Sequence, residues 1–321
     1  MTPLLLEGRD AEVTPPRVVV LMATFNGAQW IRQQIDSILA QEAVEVRLLV
    51  SDDGSEDDTV QIVDSYASRD SRVRLLPRRS GPPGVTGNFI HLFLNAQPLA
   101  GEYVAFADQD DLWHPNKLSR QIRLLTTQNA DAVSSNVTAF DDNGVRQLIV
   151  KSQPQRRWDY LFEAGGPGST YLFTFDLYQR LRTYIEANGY EGISVHDWFL
   201  YALARAAGAH WIIDKEPTVD YRQHEANVIG ANRGIRAIRD RLRHLRSGHY
   251  RQQFLLMAEM ALAVGSPTHD EHWSAELRDL IRDLHSQSFR SRLRLASRWP
   301  HLRRKRRQGL ELAALCLLGQ W

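Results

Sequence analysis

The chain has 321 residues, of which 43% are hydrophobic and 24% are charged, and its formal net charge at pH 7 is +1. This composition predicts a globular protein with a substantial core and excludes a wholly disordered chain. The single cysteine, Cys316, excludes an internal disulfide framework and a cysteine-based metal site, and it favours a reducing compartment such as the cytoplasm.

Residues 1–16, which end in Pro15-Pro16, are predicted to form a flexible lead-in. They contain a short apolar patch but no basic leader followed by a long apolar run. No segment of the chain offers about 20 uninterrupted apolar residues, the length that a membrane-spanning helix needs. We therefore expect neither secretion nor a membrane span.

From residue 17 onward, apolar strands alternate with amphipathic helices. Val18 to Met22 is a continuous apolar run, typical of a strand buried on both faces, and Ile31, Ile35 and Ile38 follow at helical spacing. The pattern returns in "VRLLV", "VRLL" and "YVAFA", each followed by a polar loop and a helical segment. It predicts an α/β fold with a mainly parallel sheet flanked by helices.

From about residue 130 the alternation is less regular. "DAVSSNVTAF" is strand-like, and "GGPGSTYLFTFDLYQRLRTYIEA" passes from a glycine loop through a strand into a helix. "HDWFLYALARAAG" predicts a helix, and "HWIID" and "PTVDYRQH" predict strands. Beyond about residue 232 the sequence is rich in arginine, and its pattern predicts helices.

Three polar loops follow predicted strands. "ATFNGA" follows the first strand, "SDDGSEDDT" the second and "DQDD" the fourth. Parallel sheets bind ligands beyond the carboxyl ends of their strands, so we expect the loops to converge on one rim. Neither GxxxxGK[ST] nor GxGxxG follows the first strand, so phosphates would have to be held by a metal ion and side chains.

Asp108, Asp110 and Asp111 lie directly behind the fourth strand. Carboxylates this close repel one another, whereas a divalent cation would bind them together. Mg²⁺ commonly uses one or two protein carboxylates and takes its other ligands from water and phosphates, which suits a nucleoside diphosphate. Taken singly, each acid could instead be a turn residue or a helix cap, and Asp111 suits the cap best.

Four segments follow one another along the chain: "ATFNGAQWIRQQIDSIL", "VSDDGSEDDT", "NFIHLF" and "GEYVAFADQDDLWHPNKL". Together and in this order they resemble the family-2 glycosyltransferases, nucleotide-sugar enzymes of the GT-A fold. "DQDDLW" and "YRQHEANVIGA" look most like the bacterial rhamnosyltransferase-type branch, which builds O-antigen and related surface polysaccharides. The resemblance implies a GT-A domain over residues 17–231. The residue pattern beyond it predicts an Arg-rich helical region over residues 232–321.

The resemblance implies a nucleotide and metal site at the strand ends. Asp110 would be a direct ligand of Mg²⁺ or Mn²⁺, Asp108 would face the ribose or the ion, and His224 is a further candidate ligand with a structural role as the alternative. One acid of the second loop would read a pyrimidine base, and which of the two does so is open. The implied nucleotide-binding residues are Thr24, Asn26, Asp52, Asp53 and Asp108.

Asp197 in "HDW" matches the place of the family's general base, at the start of a helix. An inverting transfer needs a carboxylate that removes the acceptor hydroxyl proton while the oxygen attacks the anomeric carbon. Helix capping and the helix dipole favour an acid at the same place, which is the structural alternative. The implied acceptor-binding residues are Gly166, Gly168 and Trp198, with chain turning and core packing as alternatives.

Arginines concentrate in residues 233–251 and 290–307, and "RRKRR" is followed by the apolar "LELAALCLLGQW". Basic helices beside an apolar segment suit an anionic membrane surface, with Trp321 at the interface. A solvated basic face and a homo-oligomer contact are the alternatives. No recognised nucleic-acid module accompanies the patch, so we expect no nucleic-acid partner. The expected location is the cytoplasm, peripherally associated with the inner face of the cell membrane.

The sequence thus predicts a metal-dependent inverting glycosyltransferase that uses a dTDP- or UDP-linked sugar and a glycan or lipid-linked glycan acceptor. Rhamnose from dTDP-rhamnose is the expected donor, with UDP-glucose and UDP-galactose as alternatives. The rival from another class is a non-catalytic module that binds nucleotide sugars or glycans. Donor, acceptor and linkage depend on the shape of the pocket rather than on the shared motifs.

Overall fold

The structure is a computed structural model, and it describes residues 14–141, 143–224, 248–265 and 269–321. The first part alternates as the sequence predicts. Its strands are β1 (Arg17–Thr24), β2 (Glu45–Asp52), β3 (Val73–Leu75) and β4 (Tyr103–Ala107), and its helices are α1 (Ile31–Leu39), α2 (Thr59–Ala67) and α3 (Val85–Asn95).

The second part carries shorter strands and more helices. It contains β5 (Leu112–Trp113), α4 (Lys117–Thr127), β6 (Ala132–Ser135), β7 (Val137–Phe140), β8 (Arg146–Ile149), β9 (Leu172–Thr174), α5 (Phe175–Asn188), α6 (His196–Ala206), β10 (Trp211–Asp214) and β11 (Val219–Arg222). The C-terminal helices are α7 (His249–Val264), α8 (Glu271–His285), α9 (Phe289–Ser297), α10 (Trp299–Leu302) and α11 (Arg306–Leu317). The strand-like "DAVSSNVTAF" therefore divides into two strands.

Seven strands form the main sheet, in the order β10-β6-β9-β4-β1-β2-β3. Neighbours are parallel except at β9, which runs antiparallel to both β4 and β6. The mainly parallel α/β architecture is confirmed. A second sheet has the order β5-β11-β7-β8, and its β5–β11 pairing sets Leu112 opposite Asp220, which carries the "DQDD" loop to the end of β11.

Apolar cores cover both faces of the main sheet. One contains the inward faces of α1, α2 and α4, where Ile31, Ile35 and Ile38 are fully buried at helical spacing. The other contains α3, α5 and α6, and it continues without a break into the C-terminal helices through Phe254 and Leu277. The predicted boundary after residue 231 lies outside the described residues.

The end of the chain is packed into this core. Trp321 is buried, donates its indole N–H to Leu312 O at 2.9 Å, and places its ring 5.3 Å from that of Phe254. The expectation that Trp321 lies at a membrane interface is therefore wrong, because both its apolar ring and its polar atom have partners inside the protein. Within the ranges given above, no helix combines the length and hydropathy that crossing a bilayer requires.

Candidate functional site at the carboxyl rim of the sheet

The ends of three adjacent parallel strands bring the polar loops together. In the β1–β2 ladder Thr24 lies opposite Asp52, and in the β1–β4 ladder Met22 lies opposite Ala107. Asp108 therefore starts at the same rim as the first two loops. The convergence predicted from the strand pattern is present in the structure.

Asp52 shapes the second loop from within. Its carboxylate accepts hydrogen bonds from Thr24 Oγ1 at 2.8 Å, from the backbone N–H of Gly54 at 2.9 Å and from that of Ser55 at 2.8 Å. Ser55 Oγ donates a further bond at 2.5 Å. Both oxygens are thus occupied by the rim itself, and Thr24 and Asp52 act here as loop supports.

Asp53 binds the loop that follows β3. Arg79 Nε lies 2.8 Å from Asp53 Oδ1, and a terminal guanidinium nitrogen donates to Oδ2 at 3.1 Å. The Gly84 N–H donates to the same carboxylate at 2.5 Å. The arginine was not among the predicted site residues, although an Arg-Arg pair in a Gly/Pro-rich loop behind a strand was a usable signal. Asp53, rather than Asp52, therefore lies beside the Arg79 guanidinium at the rim.

The first loop is held by side chains from the other two. Asn26 accepts a hydrogen bond from Glu56 N at 2.8 Å, and its own N–H donates to Ser55 Oγ at 2.8 Å. Gln109 accepts from Phe25 N at 2.9 Å and donates to Phe25 O at 3.0 Å, as a neighbouring strand would. These bonds fix the relative positions of the three loops.

Asp110 and His224 meet at this rim. His224 Nε2 lies 2.7 Å from Asp110 Oδ2, and its ring is stacked on Trp30 with centroids 4.0 Å apart and an interplanar angle of 15°. The β5–β11 pairing is what joins these residues across more than a hundred positions. In the part of the chain that the structure describes, no group of three or more His, Cys, Asp or Glu side chains is arranged to hold a metal ion.

The other two acids of "DQDD", Asp108 and Asp111, are buried near like charges, which disfavours their ionised forms. The pKa of Asp108 is raised to about 8, first by burial and then by the charges of Asp110 and Asp197. The pKa of Asp111 is also raised, by burial and by Asp108 and Asp110. Asp111 Oδ1 accepts from Arg222 N at 3.2 Å, and the N-cap of α4 is Asn116, so Asp111 supports β11 and does not cap the helix.

A buried cation lies beneath this acidic cluster. Lys117 Nζ is 3.7 Å from the centroid of the Trp113 ring and 3.2 Å from Gln121 Oε1. Burial lowers the pKa of Lys117 to about 7, and the charge of Asp111 partly opposes this shift. Lys117 was not among the predicted site residues, because a lysine at the start of a helix is normally solvated.

The donor atoms of Asp110 and His224 fit a divalent cation that is shared with phosphates. Asp110 supplies carboxylate oxygens and His224 an imidazole nitrogen, a combination that Mg²⁺ or Mn²⁺ accepts when phosphate oxygens complete the coordination. A cation at the pair would also relieve the mutual repulsion that raises the pKa of Asp108. A site with two protein ligands is consistent with the absence of a larger group among the residues described.

Asp197 lies in the first turn of α6, as predicted. Its Oδ1 accepts the N–H of Trp198 at 2.6 Å. Burial raises the pKa of Asp197 to about 6, while the N–H groups of Trp198 and Gly168 and the charge of Lys151 oppose the shift. The charge of Asp197 contributes to the raised pKa of Asp108, so the candidate base lies within electrostatic range of the acidic cluster.

The glycine loop lies against the start of α6. A Cβ on Gly168 would be 2.9 Å from His196 Nε2 and 3.3 Å from Asp197 Cβ, so only glycine brings the loop this close to the candidate base. A Cβ on Gly166 would be 3.2 Å from Thr170 Oγ1. Trp198 is buried and donates its indole N–H to Tyr160 O at 2.9 Å, so its ring packs in the core and offers no face to an acceptor sugar.

Sequence comparisons agree with this architecture. The profile described as "Glycosyl transferase family 2" matches residues 19–186. The dTDP-rhamnosyl transferase RfbG of Shigella flexneri is 37% identical over 263 residues, which cover 81% of this chain and 91% of that protein. The putative glycosyltransferase EpsE of Bacillus subtilis is 31% identical over 143 residues, or 44% of this chain and 50% of that protein.

Solved structures share the fold. S. aureus TarS 1-349 in complex with UDP-GlcNAc superposes with a TM-score of 0.57 at 14% identity, covering 95% of this chain and 89% of that one. The mannosyltransferase PcManGT from Pyrobaculum calidifontis, in complex with GDP-Man and Mn²⁺, gives a TM-score of 0.51 at 17% identity, covering 96% and 86%. At this level of identity the likeness establishes the GT-A fold.

Proposed function

This chain belongs to glycosyl transferase family 2 and is a nucleotide-sugar glycosyltransferase, and from that premise we propose that it transfers rhamnose from dTDP-rhamnose with inversion. The observation that carries the proposal is the Asp110–His224 pair at the rim, and Asp197 within electrostatic range of Asp108 supports it. Identity of 37% with a protein named dTDP-rhamnosyl transferase supports the donor. The acceptor we propose is a glycan or lipid-linked glycan.

We assign the donor to the loops of β1, β2 and β4. The Asp53–Arg79 pair offers both an acceptor and donors to the edge of a pyrimidine base. We assign Asp108 to the ribose or the ion. Asp110 and His224 would hold Mg²⁺ or Mn²⁺, and a neighbour solved with GDP-Man and Mn²⁺ supports this choice. When bound, the cation would stabilise negative charge on the departing diphosphate.

We assign proton removal to Asp197. Its raised pKa of about 6 makes it a better proton acceptor than an ordinary carboxylate, yet leaves it ionised at neutral pH. The acceptor hydroxyl would approach from this side, and the Gly168 N–H helps hold the carboxylate in place. Gly166 and Gly168 would let the acceptor pass close to the backbone.

The donor assignment predicts a selective response to nucleotide sugars. With Mg²⁺ or Mn²⁺ present, dTDP-rhamnose is expected to raise the melting temperature more than UDP-glucose or UDP-galactose, because a ligand that binds the folded state stabilises it. Release of dTDP on addition of acceptor then reports transfer. A stronger response to a UDP-sugar would replace the proposed donor, and binding without any release of nucleotide would favour a non-catalytic module.

We further propose that the C-terminal helices bind the membrane peripherally. Phe289 and Leu293, one helical turn apart on α9, are 65% and 53% exposed, and Leu318 after α11 is 71% exposed. Arg290 and Arg306 are also exposed in these helices. Apolar side chains among arginines suit the interface of an anionic bilayer. We propose this face as the membrane contact instead of Trp321, which is buried.

Flotation with phosphatidylglycerol liposomes tests this face. The wild type is expected to float, and Phe289→Ser combined with Leu293→Ser is expected to lower the floating fraction several-fold. Leu99→Ser is the matched control, because Leu99 is 62% exposed but lies outside the C-terminal helices. Flotation that survives the double substitution contradicts the proposal, and self-association that the substitutions abolish would identify a homo-oligomer contact instead.

A further inference from the structure

His196, the residue directly before the candidate base, is a buried imidazole that packs between two elements of the site. It is 6% exposed and is the first residue of α6. Its ring is stacked on that of Phe89 in α3, with centroids 3.9 Å apart and an interplanar angle of 18°. It also lies nearly perpendicular to the ring of Phe106 in β4, at 5.7 Å. Since Asp108 follows β4, the imidazole packs against the strand that ends at the acidic cluster.

The glycine loop lies against the edge of this ring. A Cβ on Gly168 would be 2.9 Å from His196 Nε2, which is closer than side-chain carbons approach other atoms, so glycine alone permits the contact. Nε2 is buried, and it has no hydrogen-bond partner among the residues that the structure describes. A phenyl ring would avoid that unpaired nitrogen, but it is larger than an imidazole, and Gly168 leaves little space for it. The size of the five-membered ring therefore matches the gap.

The start of α6 is fixed by its neighbours, so the ring cannot move away from the loop. Thr86 Oγ1 in α3 donates to the carbonyl oxygen of Ser194, just before α6, at 2.8 Å. Tyr171, which follows the glycine loop, donates its hydroxyl to Asp197 O at 3.3 Å. Because α6 is held at both points and the imidazole is stacked on a buried phenyl ring, the distance between the glycine loop and α6 depends on the imidazole.

We propose that His196 is a positioning residue for the base, because its ring holds the glycine loop where the Gly168 N–H can bind the Asp197 carboxylate. The inference rests on the proposed function, in which Asp197 takes the proton of the acceptor. Burial raises the pKa of Asp197, and the N–H groups of Trp198 and Gly168 oppose that shift. The imidazole adds no charge at neutral pH, since burial lowers the pKa of His196 to about 3. Its action is therefore geometric.

Three other titratable groups influence Asp197 from neighbouring elements. Lys151 lies just after β8, and its charge lowers the pKa of Asp197. Asp108 lies behind β4 and Tyr171 just before β9, and burial raises the pKa of both, with a further contribution from the charge of Asp197. Substitutions at positions 168 and 196 leave these groups in the chain. Loss of the Gly168 hydrogen bond would raise the pKa of Asp197 and move the acidic limb of the rate to higher pH.

Two substitutions that push the loop and the ring apart test the proposal. His196→Phe enlarges the ring, and Gly168→Ala adds a Cβ for which the ring leaves no room, so each should move the loop away from Asp197. Each is expected to lower kcat about 10- to 100-fold and to move the acidic limb to higher pH. KM for the donor and the affinity for dTDP should not change. Steady-state kinetics over a range of pH and calorimetry measure these quantities.

His269→Phe is the matched control. The His269 ring is likewise stacked, on that of Trp273 with centroids 3.9 Å apart, but its Nε2 lies 3.0 Å from Ala206 O, at the other end of α6. The control should keep both kcat and the position of the acidic limb. If the control shows the same shift, or if the limb stays in place in both His196→Phe and Gly168→Ala, the proposal is wrong.

A double-mutant cycle tests the contact between the ring and the loop directly. In a His196→Ala background the ring is absent, so the added Cβ of Gly168→Ala meets less resistance. Adding Gly168→Ala to that background should therefore lower kcat about tenfold less than it does in the wild type. Equal losses in the two backgrounds would show that the ring does not set the position of the loop. Melting temperatures report folding, and the cycle decides the question if His196→Phe fails to fold.

The wild type and Asp197→Asn separate this inference from the proposed function. If the wild type releases no dTDP when donor and acceptor are supplied, the proposed function is wrong, and if Asp197→Asn keeps the full rate, the base is wrong. In either case the positioning role of His196 is refuted as well. If the wild type transfers sugar and Asp197→Asn does not, an unshifted acidic limb in His196→Phe and Gly168→Ala refutes the role of His196 alone.

Discussion

Replacing Asp197 by Asn is expected to lower the rate of sugar transfer by about 100- to 10,000-fold, the usual contribution of a general base. The amide keeps the shape of the side chain and can still accept the Trp198 N–H, but it cannot take a proton from the acceptor hydroxyl. Affinity for dTDP should not change, because we assign the donor to the ends of β1, β2 and β4. Steady-state kinetics and calorimetry measure the two quantities.

The same carboxylate predicts how the rate depends on pH. The pKa of Asp197 is raised to about 6, so below that pH the group is protonated and the rate should fall about tenfold per pH unit. The acidic limb should be missing from the residual activity of Asp197→Asn. Asp176→Asn is the control. Asp176 also lies in the first turn of its helix, α5, but it is exposed and we assign it no role in the site. Comparable losses in both variants would reduce Asp197 to a helix-dipole role.

The strand pattern was sufficient to predict where the site lies. Buried runs such as Val18 to Met22 identify parallel strands, and the carboxyl ends of adjacent parallel strands share one edge of the sheet. Acids in the loops behind β2 and β4, the two strands that flank β1, therefore lie at the same edge of the sheet. Asp197 was placed by its likeness to the family's base rather than by periodicity.

Neighbouring residues with the same chemistry could not be told apart from the sequence. Asp52 and Asp53 are adjacent acids, but Asp52 points into its own turn, where backbone N–H groups occupy it, and Asp53 binds Arg79. The difference depends on the backbone angles of the loop, which local composition does not specify. The same holds for Asp111, whose partner Arg222 is 111 positions away.

The C-terminal region shows how long-range packing changes the meaning of a basic sequence. Seen alone, "RRKRR" predicts a solvated or membrane-facing stretch, yet Arg304 is buried in ion pairs with Asp159 and Glu163. An arginine is buried in this way only when carboxylates receive it, and these two lie about 140 residues earlier in the chain. The segment is thus bound to Ala164, at the start of the glycine loop, as well as forming part of the surface.

Asp110→Ala is expected to remove most of the metal-dependent affinity for dTDP, by about tenfold or more when Mg²⁺ or Mn²⁺ is present. The reason is geometric. Asp110 Oδ2 lies 2.7 Å from His224 Nε2, so one carboxylate joins the loop behind β4 to the end of β11, and its loss leaves the imidazole as the remaining partner of a cation. Calorimetric titration of dTDP with and without the metal measures the effect.

Asp220→Ala is the matched control for this substitution. Both carboxylate side chains are 15% exposed and both contact a histidine, His114 in the case of Asp220, at 3.2 Å. Asp220 lies within β11 and pairs with Arg146, so its loss removes a structural ion pair without touching the acids behind β4. If the two variants lose dTDP affinity equally, or if Asp110→Ala binds dTDP equally well with and without metal, Asp110 is not a metal ligand. If only Asp110→Ala loses affinity for dTDP, and only in metal-containing buffer, the ion is assigned to the Asp110–His224 pair. A general loosening of the fold would affect both variants, with or without metal.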